Sequence, residues 1–398
     1  MKLLVLASRF PYPLEKGDKL RLYYQLREFS RQHEVILVAL HEHDITTEDR
    51  AAIERFCSRV HLLRLNTSVS VFKAAMGWIG GRPLQVGYFW RRKIQIQITR
   101  IIQQEAPDQI FCQLIRMGDY IRKQSLPTHL DYMDCFSLGF RRRAAAAPFW
   151  QKWIWRREAR LLKQFEQAIY RDMDQCYIIS DQDRAALGPP EKHDIFVSPN
   201  GLDLEKFRPL PHVKEKAEIC FVGNMGYFPN VQAARYLIEQ VMPLVWEKSP
   251  SVRVILAGAR PTPIVQKLGH HPQVTVTGWV EDIRQPYQEG QIFVAPLFTG
   301  SGQQNKILEA MALGRPCLTT PLVNKAIGAS ADAIALAEDA DGFAQQILSL
   351  LADAEQREKM GKAGQTFVQS QVSWSEAVKP ILEGFQAKYV SQRTTNVS

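Results

Sequence analysis

The chain has 398 residues, 45% hydrophobic and 23% charged, with a formal net charge of +9. That length is too great for one hydrophobic core and points to two α/β domains, and the composition excludes a disordered or fibrous chain. No apolar run approaches the roughly 18–20 residues that span a bilayer, and Cys57, Cys112, Cys135, Cys176, Cys220 and Cys317 are too scattered for a metal knuckle, so buried thiols of a cytoplasmic protein are expected.

The opening MKLLVLASRFPYP has an apolar stretch of only Leu3–Ala7 and reads as a first strand, not a signal peptide. Alternating short apolar and longer amphipathic runs then predict parallel sheets with helical crossovers. In the first half the strands are Leu3–Ala7, Val35–Leu40, Val60–Leu65, Gln109–Cys112, His129–Met133 and Cys176–Ile179, with helices over Lys19–Gln32, Ile94–Glu105 and Arg156–Tyr170. Residues 141–171 hold nine Arg/Lys against Glu158 and Glu166, together with Trp150, Trp153 and Trp155. Such a segment suits an anionic membrane surface with indoles at headgroup depth, or a solvated helix face whose tryptophans enter the core. The pattern restarts after Asn200–Pro211, which marks a linker. In the second half the strands are Ile219–Val222, Val252–Ala257, Val274–Val276, Ile292–Ala295 and Cys317–Thr320, with helices over Val231–Trp246 and Lys306–Leu313. The expected domains are 1–200, 201–375 and a C-terminal helix over 376–398 that returns towards the first domain and ends in a disordered tail.

The densest chemistry lies in Ala295–Pro316 (APLFTGSGQQNKILEAMALGRP). A strand ends at Pro296, the loop Gly300–Ser301–Gly302 follows, and a helix opens near Asn305. Unpaired amides of a glycine loop at a helix N-terminus make a phosphate site. Lys306 and Glu309 share one helix face, about 4.5 Å apart in rise. This sets a cation beside phosphates and a carboxylate one turn on, where it can accept from ribose hydroxyls. Gln304 or Asn305 caps the helix or touches the sugar. The bland alternative is a surface helix with a Lys–Glu pair worth a few tenths of a kcal/mol. No set of metal ligands stands out; His270–His271 reads as a surface turn. Gly17, before the helix that follows the first strand, is either a bend towards a ligand or a plain loop glycine ahead of an Asp18 cap. Asp134, after the strand His129–Met133, either orients a hydroxyl or caps the next helix.

Asn305–Pro316 resembles the donor-site signature of GT-B glycosyltransferases, especially family 4 retaining enzymes. Ser198–Pro209 (SPNGLDLEKFRP), Phe221–Asn230 (FVGNMGYFPN) and Val276–Pro296 (VTGWVEDIRQPYQEGQIFVAP) are similar to further segments of that family in the same order, and Phe10–Arg27 resembles an exopolysaccharide-associated subgroup. The resemblance implies two Rossmann-like domains facing across a cleft, with the donor gripped by the C-terminal one. Glu309 then holds the ribose, Gly17 meets the donor phosphates, and Trp279 and Val280 flank the base. Gly223 and Asn224 lie in the first loop of the donor domain. Ser301 stands where the family carries the first acid of its pair. The loop Gly223–Asn230 lacks the family's cations, so Lys306 becomes the diphosphate's counter-charge, assisted by Arg21 and Lys19.

The implied reaction is transfer of a hexosyl group from a nucleotide-diphosphate sugar to a polysaccharide or lipid-linked acceptor, with retention, at the cytoplasmic face of a membrane. Asp134 and Lys306 act at the reacting centre, and no cofactor or metal is expected. A nucleotide-sugar epimerase on the same fold is the alternative enzyme, and a scaffold binding membrane or nucleic acid the alternative class. The concentration of charge in one helical region argues against nucleic acid as partner.

Overall fold

The computed structural model describes residues 1–122, 124–188, 194–298 and 304–395. The chain forms two compact units, Met1–Asn200 with Ala377–Ser398, and Gly201–Glu376. The first holds a seven-stranded sheet of β1 (Lys2–Ala7), β2 (Glu34–His41), β3 (Arg59–Arg64), β4 (Gln109–Gln113), β5 (Thr128–Asp131), β6 (Gln175–Ile178) and β7 (Ile195–Val197), in the order β3-β2-β1-β4-β5-β6-β7. The second holds β8 (Ala217–Val222), β9 (Val254–Ala257), β10 (Val274–Gly278), β11 (Gly290–Ala295), β12 (Cys317–Thr319) and β13 (Ala335–Leu336), in the order β10-β9-β8-β11-β12-β13. Among the described residues the strand pairings are all parallel. Parallel strands covered by helices on both faces have no solvent side, which is why Leu3–Ala7 and Phe293–Ala295 read as unbroken apolar runs and are fully buried.

In both sheets the first strand lies inside the order, with later strands added on either side. The chain therefore leaves β1 and β4, and again β8 and β11, in opposite directions, and their carboxyl ends open a crevice between the diverging loops. This topology places the two candidate sites.

Local departures from the expected elements have physical causes. The first helix begins at Gly17, two residues early, and its N-cap is Lys16; Asp18 is instead drawn into an ion pair with Arg9. Strand β5 stops at Asp131 because Met133 takes φ +59°. The helix expected over Val231–Trp246 is interrupted by a π turn at Leu237–Val241 just ahead of Pro243, which lacks the amide needed for an i−4 bond. Strands β7 and β13 have three and two residues, too few to show a period. The helix Trp374–Thr395 carries the chain back into the first unit, where Phe385 is fully buried against the rings of Phe29, Phe111 and His129. All six cysteines are free and buried.

Candidate active site

In the second unit the carboxyl ends of β8, β9 and β10 each meet a glycine. The Gly223 amide donates to the Ala257 carbonyl at 2.9 Å, and the Gly258 amide to the Gly278 carbonyl at 3.0 Å. Gly258 has φ +138°, and a Cβ there would fall 1.8 Å from the Gly223 oxygen, so only glycine allows the two backbones to abut. A Cβ on Gly223 would lie 2.8 Å from Asn230 Nδ2 and 3.3 Å from Lys306 Cε. The lysine stem thus lies across the end of β8. The loop itself is pinned by an Asx turn: Asn224 Oδ1 accepts from the Gly226 amide at 3.0 Å, and its carbonyl accepts from Asn230 Nδ2 at 3.0 Å. Asn230 is buried, and among the described residues its Oδ1 has no hydrogen-bond partner.

Lys306 and Glu309 lie on the helix Asn305–Ala312, whose N-cap Gln304 makes no side-chain cap bond. Lys306 Nζ donates to Gln304 Oε1 at 2.7 Å. Burial lowers its pKa to about 8 against the opposing pull of Glu309. Glu309 Oε2 accepts from the Tyr287 hydroxyl at 2.8 Å, and burial raises its pKa, with Tyr287, Lys206 and Lys306 acting the other way. Tyr287 is fully buried on the helix Arg284–Glu289, and burial beside Glu309 holds its phenol well above the ordinary value. An ammonium and a carboxylate, half-buried one turn apart beside a strand end, give a cation for phosphate and an acceptor for a diol. Trp279, 73% exposed, follows Gly278 with its face free for stacking, and Val280 is half-buried beside it. Gln304 is half-buried and Asn305 exposed at the helix mouth. Gly300, Ser301 and Gly302 lie outside the described residues.

In the first unit Gly17, exposed at the helix start, would bring a Cβ to 3.3 Å from Met133 Cε. Asp134 is exposed at the end of β5, yet enough protein surrounds it that desolvation, with the charges of Asp183, Asp131 and Asp18, raises its pKa. It does not cap the next helix, Phe136–Ala146; the Cys135 amide donates to Asp183 at 3.2 Å and the Ser137 amide to Glu166 at 3.0 Å.

Arg21 corrects the sequence reading. It is fully buried, and its five N–H groups are all taken: Nε and Nη2 donate to Asp131, Nη2 also to the Ser198 carbonyl, and Nη1 to the Pro199 carbonyl and Asn200 Oδ1. This arginine ties the 198–200 segment to β5 and offers nothing to a phosphate. The cations that do stand at the β1–β4 crevice are Arg9 and Arg116, both paired with Asp18. Arg116 is wedged against the rings of Phe89 and Phe136 and donates to Gln85; burial, with Arg9 nearby, lowers its pKa to about 10. Beside them Leu114 and Met133 hold φ +67° and +59°, strain of about 1–3 kcal/mol each that non-glycine residues rarely keep without reason.

Tyr287, Asn230, Arg9 and Arg116 escaped the sequence reading. Tyr287 meets Glu309 across 22 positions, and no local pattern announces such a partner; Leu114 and Met133 likewise reveal their strain only in three dimensions. Tyr227 and Phe228, 58% and 66% exposed, flank the loop that follows β8. Among the described residues no group of three or more His, Cys, Asp or Glu could hold a metal ion; His271 stacks on Trp246.

Residues 216–353 match the family described as Glycosyl transferases group 1. The chain is 21% identical over 366 residues to a Klebsiella pneumoniae protein described as an uncharacterized 44.6 kDa protein in the cps region, covering 87% of this chain and 90% of that one. It is similar to the structure of sucrose-phosphate synthase from Thermosynechococcus elongatus, with a TM-score of 0.64 at 15% identity over 98% of this chain and 100% of that one. It is also similar to Anabaena HepE in complex with UDP, with a TM-score of 0.65 at 13% identity over 97% of this chain and 100% of that one. At such identities the likeness is one of fold, and it runs the length of the chain. The protein therefore has the GT-B fold, and its match to glycosyl transferases group 1 lies within the second unit, over residues 216–353.

Proposed function

We propose that this protein moves a hexosyl group from a nucleotide-diphosphate sugar to a polysaccharide or lipid-linked acceptor, with retention. The observation that carries the reading is the half-buried Lys306–Glu309 pair, with Tyr287 behind Glu309, at the β8–β11 crevice of a glycosyltransferase domain. HepE structures hold UDP and UDP-glucose, and a GT-B relative, WaaG, acts in lipopolysaccharide biosynthesis; both fit a nucleotide-sugar donor and a glycan acceptor.

In this reading Glu309 accepts the ribose hydroxyls, Trp279 and Val280 flank the base, and Asn224, Gln304, Asn305 and the backbone at Gly223 line the diphosphate and sugar. Gly17 is the position of the first unit assigned to phosphate. Lys306 and the helix amides stabilise the charge that grows as the bond from the anomeric carbon to the diphosphate breaks, which is the largest contribution such a site can make. The acceptor oxygen attacks on the same face and its proton passes to the departing diphosphate, while Asp134 orients the acceptor hydroxyl. No cofactor is assigned, and the reaction is placed at the cytoplasmic side of a membrane.

A thermal-shift screen of nucleoside diphosphates and their sugars tests the proposal. One nucleotide family should stabilise the wild type and lose most of its effect on Glu309→Ala, and product NMR should show the donor's anomeric configuration retained. Equal stabilisation of both proteins by every nucleotide, or an inverted product, would overturn it.

A further inference from the structure

Helix Thr67–Ile79 is inside out. It turns the small residues Ser70 and Ala74 towards the protein, and a Cβ on Gly87 would come 3.2 Å from the Ala74 Cα, so the helix lies close against Leu84–Gly87. Its large apolar residues, Val69, Phe72, Met76 and Ile79, recur at helical spacing on the outer face, where Phe72 is 62% and Ile79 70% exposed. The helix Phe149–Asp172 continues this surface. Its inner side carries Glu158, Leu162 and Ile169, while Phe149, Trp153, Arg156 and Arg160 form one outward stripe. Trp150 and Trp153 are more than half exposed, which corrects the alternative in which these tryptophans fill the core. The two helices are joined where Trp78 meets Trp153 with ring centroids 5.9 Å apart, and where Arg157 Nη2 donates to the Trp78 carbonyl at 2.8 Å.

The two sequence segments that carry this surface hold charge of one sign. Residues 66–104 contain six Lys/Arg and no acid, and residues 135–157 contain another six and no acid. Arg156 and Arg160 follow the aromatic residues on the same stripe, about 10 Å further along from Trp153 to Arg160. A soluble face rarely presents a contiguous apolar patch, and here the segments that form it supply basic residues and no acid. Aromatic and aliphatic side chains at a tip, with arginines a headgroup's depth behind, match a bilayer whose surface is anionic. We propose that the outer faces of helices Thr67–Ile79 and Phe149–Asp172 dock this protein on anionic phospholipid membranes. The inference stands apart from the donor chemistry, since it uses none of the residues assigned to the sugar nucleotide.

Co-sedimentation of the full chain with phosphatidylglycerol–phosphatidylcholine vesicles, against vesicles of phosphatidylcholine alone, tests it. The wild type should partition at least tenfold more strongly onto the anionic vesicles, and the preference should fall in high salt. Phe72→Ser/Met76→Ser and Trp150→Ala/Trp153→Ala should each reduce partitioning about tenfold while keeping the wild-type circular dichroism spectrum and nucleotide-induced thermal shift. The blue shift of tryptophan fluorescence on vesicle addition should vanish in the second variant. Equal binding to both vesicle types, or undiminished binding by both double variants, would overturn the proposal. So would a wild-type dimer, seen in ultracentrifugation, that the variants dissociate without any vesicle binding by the wild type, because the face would then join two copies of this chain.

Discussion

Lys306 has a pKa of about 8 in the ligand-free protein, so its charge can be removed by alkali without mutation. The two phosphates of a nucleotide sugar do not ionise between pH 7 and 9, so of the diphosphate and the lysine only the lysine titrates. The ammonium fraction falls from about 0.9 at pH 7 to about 0.1 at pH 9, and if only the charged lysine engages the diphosphate, affinity should fall about tenfold, or about 1.4 kcal/mol. The sign follows from linkage: the bound diphosphate favours the ammonium, so the complex has the higher pKa and binding above pH 8 must take up a proton. Calorimetric titration of the stabilising nucleotide sugar at pH 7, 8 and 9, in buffers of different ionisation heat, measures both quantities. Uptake should approach one proton per ligand at pH 9 and nearly vanish at pH 7, while Lys306→Met should bind weakly with little pH dependence. A wild-type affinity that is flat over this range, or a decline that persists in Lys306→Met, would refute the assignment of this lysine to the diphosphate.

The same burial gives Lys306→Met an opposite effect on stability. Because the folded pKa lies below the ordinary 10.5, the buried ammonium opposes folding below pH 8 and the penalty is relieved as pH rises from about 8 to about 10.5. Lys306→Met should therefore raise the ligand-free melting temperature at pH 7, by up to about 3 kcal/mol in stability, and gain nothing at pH 11. Tyr287→Phe removes the hydroxyl that holds Glu309, and should weaken nucleotide-sugar binding about tenfold but leave competition by inorganic pyrophosphate unchanged; an equal loss for both ligands would count against a ribose role for Glu309. Gly223→Ala adds a Cβ 2.8 Å from Asn230 Nδ2 and 3.3 Å from Lys306 Cε at a position without positive φ, so donor affinity should drop at least tenfold with the circular dichroism spectrum retained. Arg21→Ala strands the buried Asp131 carboxylate and should destabilise the first unit by about 3–5 kcal/mol, seen as a lower denaturation midpoint; a stable variant that loses only donor binding would restore the discarded reading.

How far the sequence can be read depends on how local each signal is. Leu3–Ala7 and Ile292–Ala295 were legible because doubly buried parallel strands need unbroken apolar runs, and Lys306 and Glu309 because helical spacing alone puts them on one face. Arg21 was misread for the same reason in reverse. Its neighbourhood to Gly17 is local, whereas Asp131 and Ser198, which occupy it, lie 110 and 177 positions away. The tryptophans of residues 150–155 left two readings open because a basic helix does not reveal which side packs. The decisive fact, that Thr67–Ile79 buries its small residues, is written in the spacing of Val69, Phe72, Met76 and Ile79, but outward amphipathicity looks the same as inward until the neighbours are known.

The proposed donor site holds its two charges apart. Lys306 donates to the neutral Gln304 and Glu309 accepts from the neutral Tyr287, and the two side chains form no ion pair with each other among the described residues. Burial consequently pushes the lysine's pKa down and the carboxylate's up, each towards its uncharged form. A surface ion pair would show neither shift, and a closed buried pair would move both the other way. Groups held apart in this manner suit an anion at the helix mouth and a pair of hydroxyls one turn behind it. A nucleoside diphosphate presents both at about that separation, so its arrival would relieve two desolvation penalties at once. In the proposed reaction that relief becomes binding energy for the donor, and the same arrangement meets the negative charge that develops on the departing diphosphate.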